Sequence, residues 1–419
     1  MGVSIKSKLA KTIAMFLPGI FLLGMNIGTG SVTSMAKAGA SYGMELLWAV
    51  AASCVTTYFM ISIYGRFTLV TGETALQAFR KHIHPGFAIF FIVALTFGVS
   101  GSVMGVMGIV AEICFEWSKS FVDGGISPLS FAVFFIILVY YIFWMGKTKF
   151  FERSLAVIVA IMSASFLINL FFMMPPIGDV LGGLIPAIPE VIGGDDPMLI
   201  IAATVGTTVF SGLFIIRTTL VKEAGWTLKD EKQQRNDAMV AAVLMFIISA
   251  SIMAAAAGTL YVEGKTMEKA SEMISMLEPL AGSLATSLFA IGIISAGVSS
   301  QFPNVLMLPW LLCDYNNSER DMSLTKYRVI VGAISLLGLI VPIFDARPIL
   351  IMIVSQALNA FILPATVGGI IYLTNKKDLM GKYRNKTLTN VFLGVIFVFS
   401  LFTSYIALNG LIAELGKFI

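Results

Sequence analysis

The sequence predicts an all-α membrane protein of eleven transmembrane helices, arranged as two inverted repeats of five in which helices 1 and 6 are broken. Three observations predict this. Of 419 residues 57% are hydrophobic and 12% charged, whereas soluble domains are roughly 45–50% apolar. Apolar runs long enough to cross about 30 Å of hydrocarbon fall at 12–40, 44–66, 86–115, 127–146, 154–176, 198–222, 238–262, 279–312, 327–344, 348–374 and 388–411. Glycine-interrupted stretches at 28–31 and 206–212 sit in spans 1 and 6, five spans apart.

The basic segment 1–11 followed by an apolar run has the look of a signal peptide, but ten more spans follow, so span 1 is read as a helix. Its glycines are costly there, about 1 kcal/mol each relative to alanine inside a helix, and a helix that opens in the membrane must find new partners for its N–H and C=O groups. A single such stretch also serves close helix packing. A matched pair in two halves is the sign of a transporter whose site lies at the repeat interface. Spans 1–5 (about 12–176) then form repeat 1 and spans 6–10 (about 198–374) repeat 2. Span 11 (about 388–411) is peripheral, and residues 1–419 make one integral membrane transport domain.

Charge gives the orientation. The connections on the N-terminal side carry Arg66, Arg80, Lys81, Lys147, Lys222, Arg320 and Lys376 among others, while 175–198 holds Asp179, Glu190, Asp195 and Asp196 without a lysine or arginine. The positive-inside rule predicts a plasma (inner) membrane protein with a cytoplasmic N-terminus and an external C-terminus. Cys54, Cys114 and Cys313 lack metal or redox spacing, and His82 and His84 sit in a basic loop as a solvated pair rather than a metal site. No nucleophile–base set or phosphate loop suggests an enzyme, and nothing suggests a nucleic-acid partner. The expected partners are a small-molecule substrate and the lipid bilayer, with the protein a monomer.

Several stretches carry a family resemblance. These are residues 39–48 (GASYGMELLW), Thr71-Gly72-Glu73, Leu277-Glu278-Pro279-Leu280 leading into Ser295-Ala296-Gly297-Val298-Ser299-Ser300, Ser355-Gln356 with Leu363-Pro364, and Lys377-Asp378-Leu379-Met380-Gly381. They resemble the NRAMP divalent-metal transporters over nearly the whole chain, which implies a LeuT-like fold. The resemblance fails at the metal ligands. Where the family has DPGN this chain has Gly28, Thr29, Gly30 and Ser31; where it has the Met, Pro and His of ATVMPH, this chain has Phe210, Ser211 and Gly212. A second family histidine falls at Arg217, and no acid lies between Glu73 and Glu112, while Gln356 matches a family glutamine.

A dication entering a dehydrated site needs several ligands and a compensating charge, and these positions offer neither. The expectation is therefore a secondary transporter working by alternating access on a small organic solute, a carboxylate such as a flat pyrimidine-type acid, rather than a transition metal. The alternative is a proton-coupled transporter of divalent metal ions (Mn, Fe or Mg). Expected substrate-binding residues are Asn26, Gly28, Thr29, Gly30, Ser31, Thr207, Thr208, Phe210, Ser211, Gly212 and Gln356. Lys37 and Arg217 are expected to attract an anion, unless they simply reach the two headgroup regions. Gln301, Asn304 and Asn359 either line the pathway or bond across helices. No cofactor and no metal site are expected; the coupling ion is H⁺ or Na⁺, the latter with Ser295, Ser299 and Ser300 as oxygen donors.

Overall fold

The computed structural model describes residues 28–146, 163–168, 175–191, 194–277 and 285–417. The long helices are α1 (Thr29–Tyr42), α2 (Leu47–Thr71), α3 (Pro85–Ser118), α4 (Pro128–Met145), α5 (Pro197–Thr208), α6 (Ser211–Glu223), α7 (Glu231–Ala256), α8 (Ala285–Tyr315), α9 (Thr325–Leu336), α10 (Pro348–Asn375) and α11 (Thr387–Gly416). Among the described residues eight helical segments are long and apolar enough to cross a membrane, counting α5 with α6 and extending α9 to Phe344; α4 is a shorter apolar helix. The fold is the expected all-α, LeuT-like one. The fifth expected span and the first half of span 1 fall mostly outside the described residues.

Helix ends follow local chemistry. Asp196 caps α5 by accepting the Met198 and Leu199 N–H groups at 2.7 and 3.4 Å, with Pro197 at the first helical position, where its missing N–H costs nothing. Helix α2 ends at Gly72 in the left-handed region, φ +71°, a conformation glycine adopts without steric cost.

Helix α10 is the centre of the bundle and packs on α3, α5 and α11. Its contact with α3 rests on a glycine ladder. A Cβ on Gly98, Gly101, Gly105 or Gly108 would meet Asn359, Ser355, Met352 or Pro348 respectively at 2.8–3.1 Å. Rising numbers on α3 pair with falling numbers on α10, so the two helices run antiparallel, as close as small residues permit. Lipid-facing sides show in exposed Phe97, Phe134, Ile137, Val395 and Val398, since a bilayer rewards apolar surface that water would not.

Candidate functional site

The second expected break is narrower than its glycines suggested, and at the first the described residues begin at Gly28. Gly28 is the N-cap of α1, with φ −114° and ψ −168°, so Thr29, Gly30 and Ser31 are already helical. In the second break only Val209 and Phe210 leave the helix, at φ/ψ −102°/58° and −77°/115°. Gly206 is helical, and its job is close approach: a Cβ there would collide with the Gln356 carbonyl oxygen. Gly212 is also helical, and a Cβ there would lie 2.5 Å from the Phe210 ring.

A cavity of about 50 Å³ lies between the breaks, lined by Gly28, Gly30, Ser31, Val99, Ser102, Val106, Thr207, Phe210, Ser300, Asn304, Gln356 and Asn359. Water needs about 10–15 Å³ of such space, so three or four water-sized particles fit. The two broken helices meet where Ser31 Oγ and Thr207 Oγ1 lie 3.1 Å apart. Opposite them, Gln356 donates to Ser102 Oγ at 3.2 Å and accepts from Asn359 Nδ2 at 3.2 Å, while Ser102 and Ser355 hydroxyls meet at 3.1 Å. Asn359 Oδ1, on a residue that lines the cavity, and Thr29 Oγ1, which lies outside the lining, are among the buried side-chain oxygens without a hydrogen-bond partner. Among the described residues no Asp, Glu, His, Lys or Arg lines the cavity, and no cluster of three or more His, Cys, Asp or Glu occurs.

The expected residues divide. Gly28, Gly30, Ser31, Thr207, Phe210, Gln356, Asn304 and Asn359 line the cavity. Ser300 does too, its hydroxyl donating to the Ala296 carbonyl at 2.7 Å. The Thr208 hydroxyl donates to the Thr204 carbonyl at 3.0 Å and its own carbonyl accepts from Thr57 on α2, and Ser211 bonds Thr366 at 2.7 Å. Ser295 and Ser299 do not line the cavity, and Gln301 donates to the Val103 carbonyl instead. Asn26 lies outside the described residues. The histidines are structural: His82 binds Glu73 at 2.8 Å and His84 Nδ1 accepts from Gly86 at the start of α3. Burial would raise the Glu73 carboxyl, but bonds from Lys81 and His82 hold it below the ordinary range. Sequence reasoning missed Ser102; the glycine spacing of 98, 101, 105 and 108 was the available signal that this face of α3 touches α10.

Neither expected anion-attracting residue serves the cavity. Arg217 is fully buried, its guanidinium 2.7 Å from Asp237 and 3.4 Å from the Gln234 carbonyl. Lys37 lies 2.7 Å from Asp195. Both charges are taken by carboxylates, which leaves no field to select an anion.

Comparison with known proteins gives the family. The family described as natural resistance-associated macrophage protein-like matches residues 19–409. A divalent metal cation transporter MntH of Caldanaerobacter subterraneus is 26% identical over 69% of this chain and 68% of its own length. That of Erwinia tasmaniensis is 23% identical over 97% of this chain and 95% of its own. A variant of the Eremococcus coleocola manganese transporter superposes with a TM-score of 0.76 at 14% identity, covering 100% of this chain and 89% of that one. These relatives overturn the expectation of an organic anion as cargo and of organic-anion symport. The inference from lost ligands failed because it weighed the motif positions alone and assigned Lys37 and Arg217 free charges that they do not have.

Proposed function

Because the chain belongs to the natural resistance-associated macrophage protein-like family, we propose that it is a membrane transporter of divalent metal cations that works by alternating access. It is a transporter and not an enzyme. The observation that carries the reading is the cavity where both broken helices meet, ringed by the oxygens of Ser31, Ser102, Thr207, Ser300, Asn304, Gln356 and Asn359. Relatives named as divalent metal cation transporters, one of them spanning nearly the whole chain, agree with it.

The donors are neutral, so the ion is bound through dipoles and keeps part of its water shell, for which the cavity has room. Small hard dications behave this way, since they dehydrate reluctantly and prefer oxygen ligands. Asn359 Oδ1, buried and unpartnered, is the strongest ligand candidate. Uncompensated charge makes the binding weak, on the order of 0.1–1 mM as for sites with few charged ligands.

Sodium is the coupling ion that fits this donor set, because no titratable side chain lines the cavity among the described residues. Pro303 lies within α8 and lacks the N–H that would take the Ser299 carbonyl. That carbonyl, the Ser300 hydroxyl and the unpartnered Thr29 Oγ1 supply its oxygens, with Ser295 outside the set. Lysine and arginine concentrate at the end of the bundle bearing Arg80, Lys222 and Lys377. That end is cytoplasmic by the positive-inside rule, with the Asp195 end on the opposite side.

Proteoliposomes with a metal-quenched dye inside test the proposal. Saturable Mn²⁺ uptake is expected, reduced by Asn359→Ala and stimulated by an inward sodium gradient. Uptake no faster than through empty liposomes would end the cation reading, and uptake indifferent to sodium would end the coupling.

A further inference from the structure

A second cavity, of about 320 Å³, opens beyond the first at the end of the bundle where α1 ends and α5 and α10 begin. Lys37 stands six residues after Ser31 on α1, which places it about 9 Å along the axis from the first cavity. The two cavities therefore share the walls of α1, α5 and α10, one above the other.

The ammonium of Lys37 is 6% exposed as part of its residue and is held like a bound cation. Asp195 Oδ2 lies 2.7 Å from it, the Met267 carbonyl oxygen 2.9 Å and Glu268 Oε1 4.0 Å. The cradle is itself fixed. Ser41 donates to Asp195 Oδ2 at 2.6 Å, the Tyr42 hydroxyl donates to the Asp195 carbonyl at 2.7 Å, and Arg347 at the start of α10 lies 3.6 Å from the other Glu268 oxygen. One carboxylate thus joins α1 to the segment entering α5, and a second joins α1 to α10 through the strap at 267–268. Two carboxylates and a carbonyl around one positive centre are also the hard oxygen set a divalent cation prefers.

We propose that this cradle is an outer cation-binding station that Lys37 occupies when the path is closed, and that an arriving divalent cation displaces the ammonium from Asp195 and so loosens α1 from the segment entering α5. The proposal rests on the divalent-cation reading for the identity of the competitor. A dication interacts with both carboxylates at twice the charge of the ammonium, and Lys37, on a flexible four-carbon stem, can swing toward water. Loss of the Lys37–Asp195 contact removes the charged tie between α1 and the start of α5 at this end and leaves the Ser41 and Tyr42 bonds to Asp195 to hold the two together. Cargo then reaches the neutral cavity below only after it has loosened the closure above it, which gives a site without fixed charge a means of admitting dications in preference to monovalent ions.

The test uses the full chain purified in detergent, with Leu350→Cys placed in the outer cavity; the native Cys54, Cys114 and Cys313 are buried. The rate of labelling by a hydrophilic maleimide reports opening. Labelling should be slow, and several-fold faster with Mn²⁺. Lys37→Met should label fast without metal, and Asp195→Asn should label fast and ignore Mn²⁺. The charge-exchanged pair Lys37→Asp with Asp195→Lys should restore slow labelling, which shows that fast labelling in the single variants is not misfolding. Slow labelling in Lys37→Met, or Mn²⁺ acceleration that survives in Asp195→Asn, overturns the station. Mn²⁺ uptake by the Leu350→Cys protein separates the two readings. Acceleration that depends on Asp195, without uptake, leaves the station and removes the transport reading; uptake with labelling indifferent to Mn²⁺ removes the station and leaves transport.

Discussion

Arg217 neutralises Asp237 inside the bundle, and the position of that pair determines what the loss of either partner does. Both side chains are at most 1% exposed and only 2.7 Å apart. Removing one partner strands a buried charge, which costs about 3–5 kcal/mol, whereas replacing both by apolar groups of similar size is often neutral. Arg217→Met is therefore expected to lower the thermal unfolding midpoint markedly and to leave cargo preference unchanged. The double variant Arg217→Met with Asp237→Leu should regain most of the loss. Unchanged unfolding together with altered cargo preference in Arg217→Met would return the residue to the transport site. The sequence placed Arg217 five residues beyond the second break, a distance compatible with either role. Its partner is not legible in the sequence, because nothing in a linear sequence states that α7 presents Asp237 to α6. Ser31 and Thr207, which line the cavity, are picked out by the local glycine pattern, and Gln356, which lines it too, by its match to a family glutamine.

At the scale of the helix, a missing Cβ permits either an opened backbone or a close contact, and sequence alone does not distinguish them. Gly28 caps a helix beside Ser300, while Gly206 sits in an intact helix against the Gln356 carbonyl. The break itself falls on Val209 and Phe210, two residues without special backbone freedom. The α3 ladder shows the close-contact use most clearly. Gly105 faces Met352 three residues along α3 from Ser102, and Ser102 holds Gln356 at 3.2 Å. Gly105→Leu must push α3 away from α10. The overpacking costs about 1–3 kcal/mol, and the Ser102–Gln356 bond is lost with it. Expected are unchanged helix content by circular dichroism and Mn²⁺ uptake reduced well below that of Gly105→Ala, in which a single methyl meets Met352 Cα, Cβ and Cε at 3.1 Å and α10 need give by only a few tenths of an ångström. Equal uptake by the two variants would mean that the cavity wall on α3 takes no part in binding.

For the molecule as a whole, the apolar composition and the length of the apolar runs were enough to read an all-helical, multi-pass membrane protein, since these depend on the bilayer rather than on tertiary detail. The cargo was not legible, because it depends on the field inside the cavity, and Lys37 and Arg217 enter that field only after their carboxylate partners are subtracted. What remains is a nearly neutral chamber, and this makes a quantitative prediction about charge. A carboxylate introduced at Ser31, which lines the cavity beside Thr207, acts on a dication about 4 Å away. At an effective dielectric of about 20 the attraction is on the order of 4 kcal/mol per unit charge, and desolvating the new carboxylate offsets much of it. A remainder of about 1.4 kcal/mol corresponds to a tenfold change in affinity. Ser31→Asp is thus expected to lower the half-saturating Mn²⁺ concentration by about tenfold or more and to slow turnover, since tighter binding at the site delays release. Ser31→Asn, of the same shape without the charge, should do neither. A Ser31→Asp protein that folds, reaches the membrane and saturates at the same Mn²⁺ concentration as its parent would place the dication elsewhere than between the two broken helices.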